Sequence, residues 1–338
     1  MDRYDTIDKL AELSVQDLEF SQYLEGDAEK PPFLFMSLQQ LRELLVNHSM
    51  PVPEPSENEY TFEIPMRDGY QSNIRVYEPK VRQPNRPLVV LIHGGGFVLG
   101  HNSHVGGNAQ AIVSAYNVTV LSISYRLAPE FKFPVAPHDI YDTMEWIAKN
   151  AEAKFAVDLS VGFVLGGVSA GANLAAVAAQ KWLSENKTPK ITGLWLGLPY
   201  VLSDSIVPDR FKDIWVSREQ NAEALIIGQK DMLYVRETYS PDVLSADFSP
   251  FNAKGPHVGL PPTYFQVCGQ DPLRDDGLVY EKVLRDHGVP TKLDIYPGLP
   301  HGFAEVLPTL KVSEKYRLDQ QNGFGWLLKQ EPSAGEGQ

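Results

Sequence analysis

A single cysteine, Cys268, stands in the 338 residues, so no intrachain disulfide can form, as expected of a protein kept in a reducing compartment such as the cytoplasm. Basic residues are few: 30 Lys and Arg against 43 Asp and Glu leave a net charge of −13. Nothing concentrates positive charge to neutralise phosphates, which argues against a nucleic-acid partner and against an anionic membrane surface. No stretch reaches the roughly 18 apolar residues that a membrane span requires. Met1-Asp2-Arg3-Tyr4-Asp5 opens no apolar leader, and we expect a cytoplasmic protein without a secretory signal. Metal-ligand patterns are missing as well: there is no H-E-x-x-H and no cysteine pair, so no metal is expected. The triplet Gly94-Gly95-Gly96 lacks the Lys-Ser/Thr of a phosphate loop, and no nucleotide or other cofactor is expected.

The remaining composition, 43% hydrophobic and 22% charged, is that of an ordinary globular protein with a large core. Residues 1–57 read as helices that contribute to a cap. Ser37-Leu38-Gln39-Gln40 forms a capping box, and Leu38, Leu41, Leu44 and Leu45 mark one helical face. Pro51, Pro53 and Pro55 end that segment. From Glu59 the pattern turns to strands, with Tyr60–Pro65 and Asn73–Tyr77 as a hairpin. The apolar runs Leu88–Ile92, Val118–Ile123, Val161–Leu165, Ile191–Leu198, Thr263–Val267 and Lys292–Tyr296 then alternate with helical segments at 136–149, 170–185 and 275–286. Such alternation predicts an α/β fold, a mostly parallel sheet of eight strands flanked by helices. The core spans 58–199 and 246–330, interrupted by a cap insertion at 200–245; residues 331–338 read as a disordered tail.

Two motifs carry chemistry. Gly167-Val168-Ser169-Ala170-Gly171 follows a buried strand and opens a helix, the setting of a nucleophile elbow that exposes a serine hydroxyl. His93-Gly94-Gly95-Gly96 follows another buried strand and offers backbone N–H groups to a tetrahedral oxyanion. A serine needs a base and a group that orients the base. In sheets of this kind the chain order is serine, acid, histidine, and the loops holding Asp271 and His301 follow the next strands in that order. Asp275 and Asp276 compete with Asp271 and are read as first-turn acids of a helix. His101, His104 and His138 precede the serine and are read as polar core or pocket rim; His48, His257 and His287 are read as surface residues. Glu130 and Asp139 are read as satisfying buried polar groups near the active site, with solvated positions as the alternative.

With Tyr125-Arg126-Leu127-Ala128-Pro129-Glu130, Asp271-Pro272-Leu273-Arg274-Asp275 and His301-Gly302-Phe303 added, the chain from Pro87 to Phe303 resembles the hormone-sensitive-lipase-like carboxylesterases of the α/β-hydrolase superfamily. The Gly167-Val168-Ser169 variant and the aromatic-rich cap are similar to its fungal members. The resemblance implies Ser169 as nucleophile, His301 as general base and acid, and Asp271 as the orienting carboxylate. It also implies an oxyanion hole made by the N–H groups of Gly94, Gly95 and Ala170. His93 would hold the glycine loop. Phe33, Phe97, Phe211 and Trp215, with Phe35 and Met36, are candidates to line a substrate pocket, although each also fits ordinary cap packing. The expected activity is hydrolysis of a short-acyl or small-molecule ester, in specialised metabolism, by a monomer or homodimer. Acyl transfer, dehydration or cyclisation on the same fold are the alternatives, and a non-catalytic small-ligand receptor is a further one.

Overall fold

All five side chains of Leu88–Ile92 are buried, as are all five of Thr119–Ile123. Strands that are apolar on both faces need helices on both sides of their sheet. That arrangement is present in the computed structural model, which describes residues 4–48, 52–255 and 257–332. The sheet contains β1 (Glu59–Pro65), β2 (Gln71–Tyr77), β3 (Leu88–Ile92), β4 (Thr119–Ile123), β5 (Phe163–Val168), β6 (Gly193–Gly197), β7 (Thr263–Gln270) and β8 (Thr291–Pro300). Its order is β1-β2-β4-β3-β5-β6-β7-β8. Within it β2 alone is antiparallel to its neighbours, and every pairing from β4 to β8 is parallel. This is the eight-stranded, mostly parallel sheet that the alternation predicts. Strand β5 runs past Leu165 because Gly166 and Gly167 continue the pairing with Trp195 and Leu196.

The helices are α1 (Ile7–Leu13), α2 (Leu18–Glu25), α3 (Leu38–His48), α4 (Gly106–Tyr116), α5 (Val135–Phe155), α6 (Ala170–Ser184), α7 (Ser217–Gln220), α8 (Gln229–Tyr239), α9 (Arg274–Asp286), α10 (Phe303–Val306) and α11 (Lys311–Leu328). The period-two alternation of β3 divides them. Leu88, Val90 and Ile92 face one core with residues of α5, α6 and α9. Val89 and Leu91 face a second core with α4 and α11. Among the described residues no helix is long and apolar enough to cross a membrane.

The capping box closes on α3: Gln40 N–H donates to Ser37 Oγ at 3.2 Å, and Ser37 N–H donates to Gln40 Oε1 at 2.9 Å. The leucine face is shorter than its spacing predicts, since Leu38 is buried while Leu44 is 39% exposed. Asp231 joins this helix to α8, accepting the N–H of Leu38 at 2.7 Å and of Gly228 at 2.9 Å. The N-terminal helix α3 is thereby joined to α8 of the stretch 200–245. Both rest on the glycine loop: a Cβ on Gly96 would lie 2.8 Å from Val235 of α8 and 3.4 Å from Leu38 of α3.

Several expectations need correction. His257 is buried, with its Nδ1 2.8 Å from Gln180 Oε1, because it packs against Phe251 and Tyr280 in the core. Glu130 sits in solvent and pairs with Arg42, whereas Asp139 is buried and accepts from the Arg126 backbone and guanidinium. Pro51 of the linker, the side chain of His48, and residues 333–338 of the tail lie outside the described residues.

Candidate active site

The C-terminal ends of β3, β5, β7 and β8 lie along one edge of the sheet, which brings the loops after them together. Ser169 joins β5 to α6 with φ 57° and ψ −119°, a strained conformation that only a surrounding frame maintains. The frame is steric. A Cβ on Gly167 would lie 2.3 Å from the Gly171 carbonyl oxygen, and one on Gly171 would lie 2.3 Å from that of Ile92 and 2.4 Å from that of His93. The two glycines let the elbow approach β3 closely, and the Ser169 N–H closes it by donating to the Gly197 carbonyl at 2.7 Å.

His301 Nε2 lies 3.0 Å from Ser169 Oγ, and His301 Nδ1 lies 2.7 Å from Asp271 Oδ2. Because a carboxylate only accepts, Nδ1 carries the proton and Nε2 is left to accept from the hydroxyl. All three side chains are at most 7% exposed. Asp271 is held by its neighbours: the Leu273 N–H donates to its Oδ1 at 2.7 Å.

Opposite the serine, a Cβ on Gly94 would stand 3.3 Å from Ser169 Cβ, so the glycine loop passes directly beside the hydroxyl. Gly95 and Gly96 have φ +110° and +61°, and a Cβ on Gly95 would lie 2.1 Å from the Leu99 carbonyl oxygen. Ala170 begins α6, and the N–H groups of a first helical turn have no i−4 carbonyl to bond. His93 braces the loop from below. Its ring stacks on Tyr125 at 4.4 Å, the Tyr125 hydroxyl donates to its carbonyl at 3.1 Å, and burial lowers the imidazole pKa to about 3. It is a neutral bracing group rather than a base.

A cavity of about 380 Å³ opens on Ser169, His301, Gly94 and Gly95. Of the residues expected there, Phe33 and Met36 line it. Three do not. Phe97 is fully buried and stacks on Tyr239 at 4.1 Å. Phe211 is 2% exposed under Arg210. Trp215 donates its Nε1–H to Asp276 Oδ1 at 3.0 Å. Phe35 faces a different cavity, of about 530 Å³, against the cap. The walls instead include Leu99, Trp195, Ile226 and Val306, with His104 and Glu305. Among the described residues His, Cys, Asp and Glu form no group able to hold a metal ion.

Sequence reasoning missed the anchors of the acid loop. Asn221, of the cap insertion, donates its amide to the carbonyls of Gly269 at 3.1 Å and Asp271 at 3.0 Å. Arg274 is fully buried and donates to Leu10 O at 2.8 Å, Ser14 Oγ at 2.7 Å, Gln220 Oε1 at 2.7 Å and Asp275 Oδ1 at 2.7 Å. Asp275 accepts the N–H groups of Val216 and Ser217; Asp276 accepts those of Val201 and Leu202, together with Arg218. Both are first-turn acids of α9, as the sequence suggests, and being buried they also fasten the stretch 200–245 to that helix. Burial raises the pKa of Asp276 to about 6, against the pull of Arg218 and its N–H donors.

Comparison with known proteins agrees with this architecture. Residues 89–305 match the family described as alpha/beta hydrolase fold. An AB hydrolase superfamily protein of Schizosaccharomyces pombe is 36% identical over 266 residues, 78% of each chain. A versiconal hemiacetal acetate esterase of Dothistroma septosporum is 31% identical, covering 76% of this chain and 78% of that protein. Among solved structures, vibralactone cyclase superposes with a TM-score of 0.82 at 28% identity, covering 94% of this chain and 96% of its own.

Proposed function

This chain belongs to the alpha/beta hydrolase family, in its hormone-sensitive-lipase-like carboxylesterase branch, and we propose that it is a serine carboxylesterase acting on short-acyl, small-molecule esters. The observation that carries the reading is the Oγ–Nε2–Nδ1–Oδ2 relay, with spacings of 3.0 and 2.7 Å, opening on the cavity. His301 takes the proton of Ser169 as Oγ attacks the ester carbonyl, and Asp271 stabilises the imidazolium that forms. The N–H groups of Gly94, Gly95 and Ala170 hold the oxyanion, each such donor contributing on the order of 10²–10³ in rate. The tetrahedral intermediate expels the alcohol as His301 returns the proton. Water, deprotonated by His301, then cleaves the acyl-enzyme to release the acid and restore Ser169.

A cavity of about 380 Å³ is at the small end of ligand pockets, which supports a short acyl group. Similarity to a versiconal hemiacetal acetate esterase supports an ester of specialised metabolism as the substrate. The net charge of −13 and the single cysteine support a cytoplasmic enzyme whose partner is that small ester. The test is hydrolysis of p-nitrophenyl esters from acetate to palmitate by the wild type and Ser169→Ala. Turnover that falls with chain length, and by about 10⁴-fold or more in the variant, is expected. Undiminished turnover by Ser169→Ala would overturn the mechanism.

The likeness to vibralactone cyclase over 94% of the chain favours a second reading, in which a hydroxyl of the substrate itself takes the acyl group in place of water. Product analysis of a hydroxy-ester separates the two: a lactone in place of the free acid would select cyclisation.

A further inference from the structure

His301 and Glu305 are four residues apart at the start of α10, and both line the cavity that holds Ser169. Glu305 is exposed to that cavity and supplies the carboxylate among its lining residues, none of which is Lys or Arg. The relay of Ser169, His301 and Asp271 does not hydrogen-bond to it. Burial of the site raises the pKa of its carboxyl group, while His301 and Arg317 act to lower it. Arg317, however, directs its guanidinium at the carbonyls of Ala304 and Pro308. The carboxylate therefore faces a largely apolar space in which no Lys or Arg is among the described lining residues. Two of the walls are aromatic, Phe33 and Trp195, and Met36, Leu99 and Ile226 complete the apolar surround.

A carboxylate in a low-dielectric cavity strongly favours a cation beside it and disfavours a second anion. Aromatic faces add attraction for quaternary or alkylated ammonium groups, which lose little hydration on entry. The net charge of −13 attracts cations to the protein from a distance. We propose that Glu305 makes this site selective for esters that carry an ammonium group, seated against its carboxylate and the aromatic walls, and that it rejects esters bearing a free carboxylate. The proposal rests on the esterase reading above.

The experiment compares acetylcholine with its uncharged isostere, 3,3-dimethylbutyl acetate, at low ionic strength, in the wild type and Glu305→Gln. The ratio of kcat/KM values for the two esters cancels any effect of Glu305 on His301, because both esters use the same base. We expect the wild type to prefer the cation and the ratio to fall about tenfold or more in Glu305→Gln, with turnover of the neutral ester changed only a few-fold. A ratio near one in the wild type, or an unchanged ratio in the variant, would overturn the proposal. If the wild type hydrolyses neither ester, the esterase reading fails and the selectivity is read from binding. Calorimetric titration of Ser169→Ala, and of Ser169→Ala combined with Glu305→Gln, with both esters then decides it: tighter binding of the cation that disappears with Glu305 supports the proposal, and its absence refutes it.

Discussion

Asn221, on the cap, donates its side-chain amide to the main-chain carbonyl of Asp271 at 3.0 Å, so a residue of the insertion fixes the loop of the proposed triad acid. Asn221→Ala removes one donor from each of two buried carbonyls, of Gly269 and Asp271, which retain contacts from Ser14 and Arg274 and from the Arg274 N–H respectively, at a cost of about 0.5–1.5 kcal/mol per bond. Since the loop sets the position of the carboxylate, kcat should fall about tenfold or more while KM for a small ester changes little. Steady-state kinetics beside thermal melts test this; lost stability with unchanged kcat would show that Asn221 holds the cap alone.

The glycines of the site differ in what a methyl group would meet. Gly171→Ala places Cβ 2.3 Å from the Ile92 carbonyl oxygen and Gly95→Ala places it 2.1 Å from that of Leu99. The first should prevent a stable fold by prising the elbow off β3. The second should displace the proposed oxyanion loop and reduce kcat about 10²-fold or more. Gly107, in α4, has nothing within 4 Å of such a Cβ, and Gly107→Ala should stabilise by about 0.5–1 kcal/mol with activity intact. Denaturant midpoints and esterase rates of the three variants should follow that order.

Two phenylalanines of the cap should respond in opposite ways. Phe33 lines the cavity and is 42% exposed, so Phe33→Ala should raise KM for aromatic esters with little loss of stability. Phe211 is 2% exposed, and Phe211→Ala should cost about 3–5 kcal/mol without altering the relative rates of different esters. Chain-length profiles and urea unfolding of both variants provide the check.

Burial lowers His93 to about 3 and His257 to about 4, while both titrate near ~6.5 when unfolded. Between those values the unfolded chain binds more protons, so stability present above about pH 6.5 is lost as the pH falls. Each histidine contributes up to about 1.4 kcal/mol per pH unit in that window. Asp276, raised by burial to about 6, acts in the opposite sense, its share being lost as the pH rises through about 6. His257→Gln should therefore show a smaller drop in Tm between pH 7 and 5 than the wild type. Equal drops would mean that His257 titrates alike in both states.

The sheet and the elbow were legible because each rests on a constraint that a sequence records directly. A strand buried on both faces must be apolar at every position, and a serine held at φ 57° beside a neighbouring strand must be flanked by glycine. α11 was less legible. Its Gly323 and Gly325 look like helix breakers, yet a Cβ at those positions would lie 2.0 Å from Tyr264 and 2.5 Å from Tyr116. They are the price of packing a helix onto two tyrosines. The pocket was the least legible part. Whether Phe97 or Phe33 faces the cavity depends on how two cap segments distant in sequence meet, and no local pattern encodes that meeting. Glu305 had a local signal, its i+4 spacing from His301, but only the fold shows that both side chains reach one space.

Arg274 binds α1 through Leu10 and Ser14, the insertion through Gln220, its own helix through Asp275, and the loop before Asp271 through the Gly269 carbonyl. The N-terminal segment and the insertion are thereby fastened to one guanidinium three positions from the proposed acid. A cap exchanged with a related chain would arrive without the matching half of that knot. Divergence toward new esters should then proceed by changing the side chains inside the cavity, while cap and acid loop are inherited together.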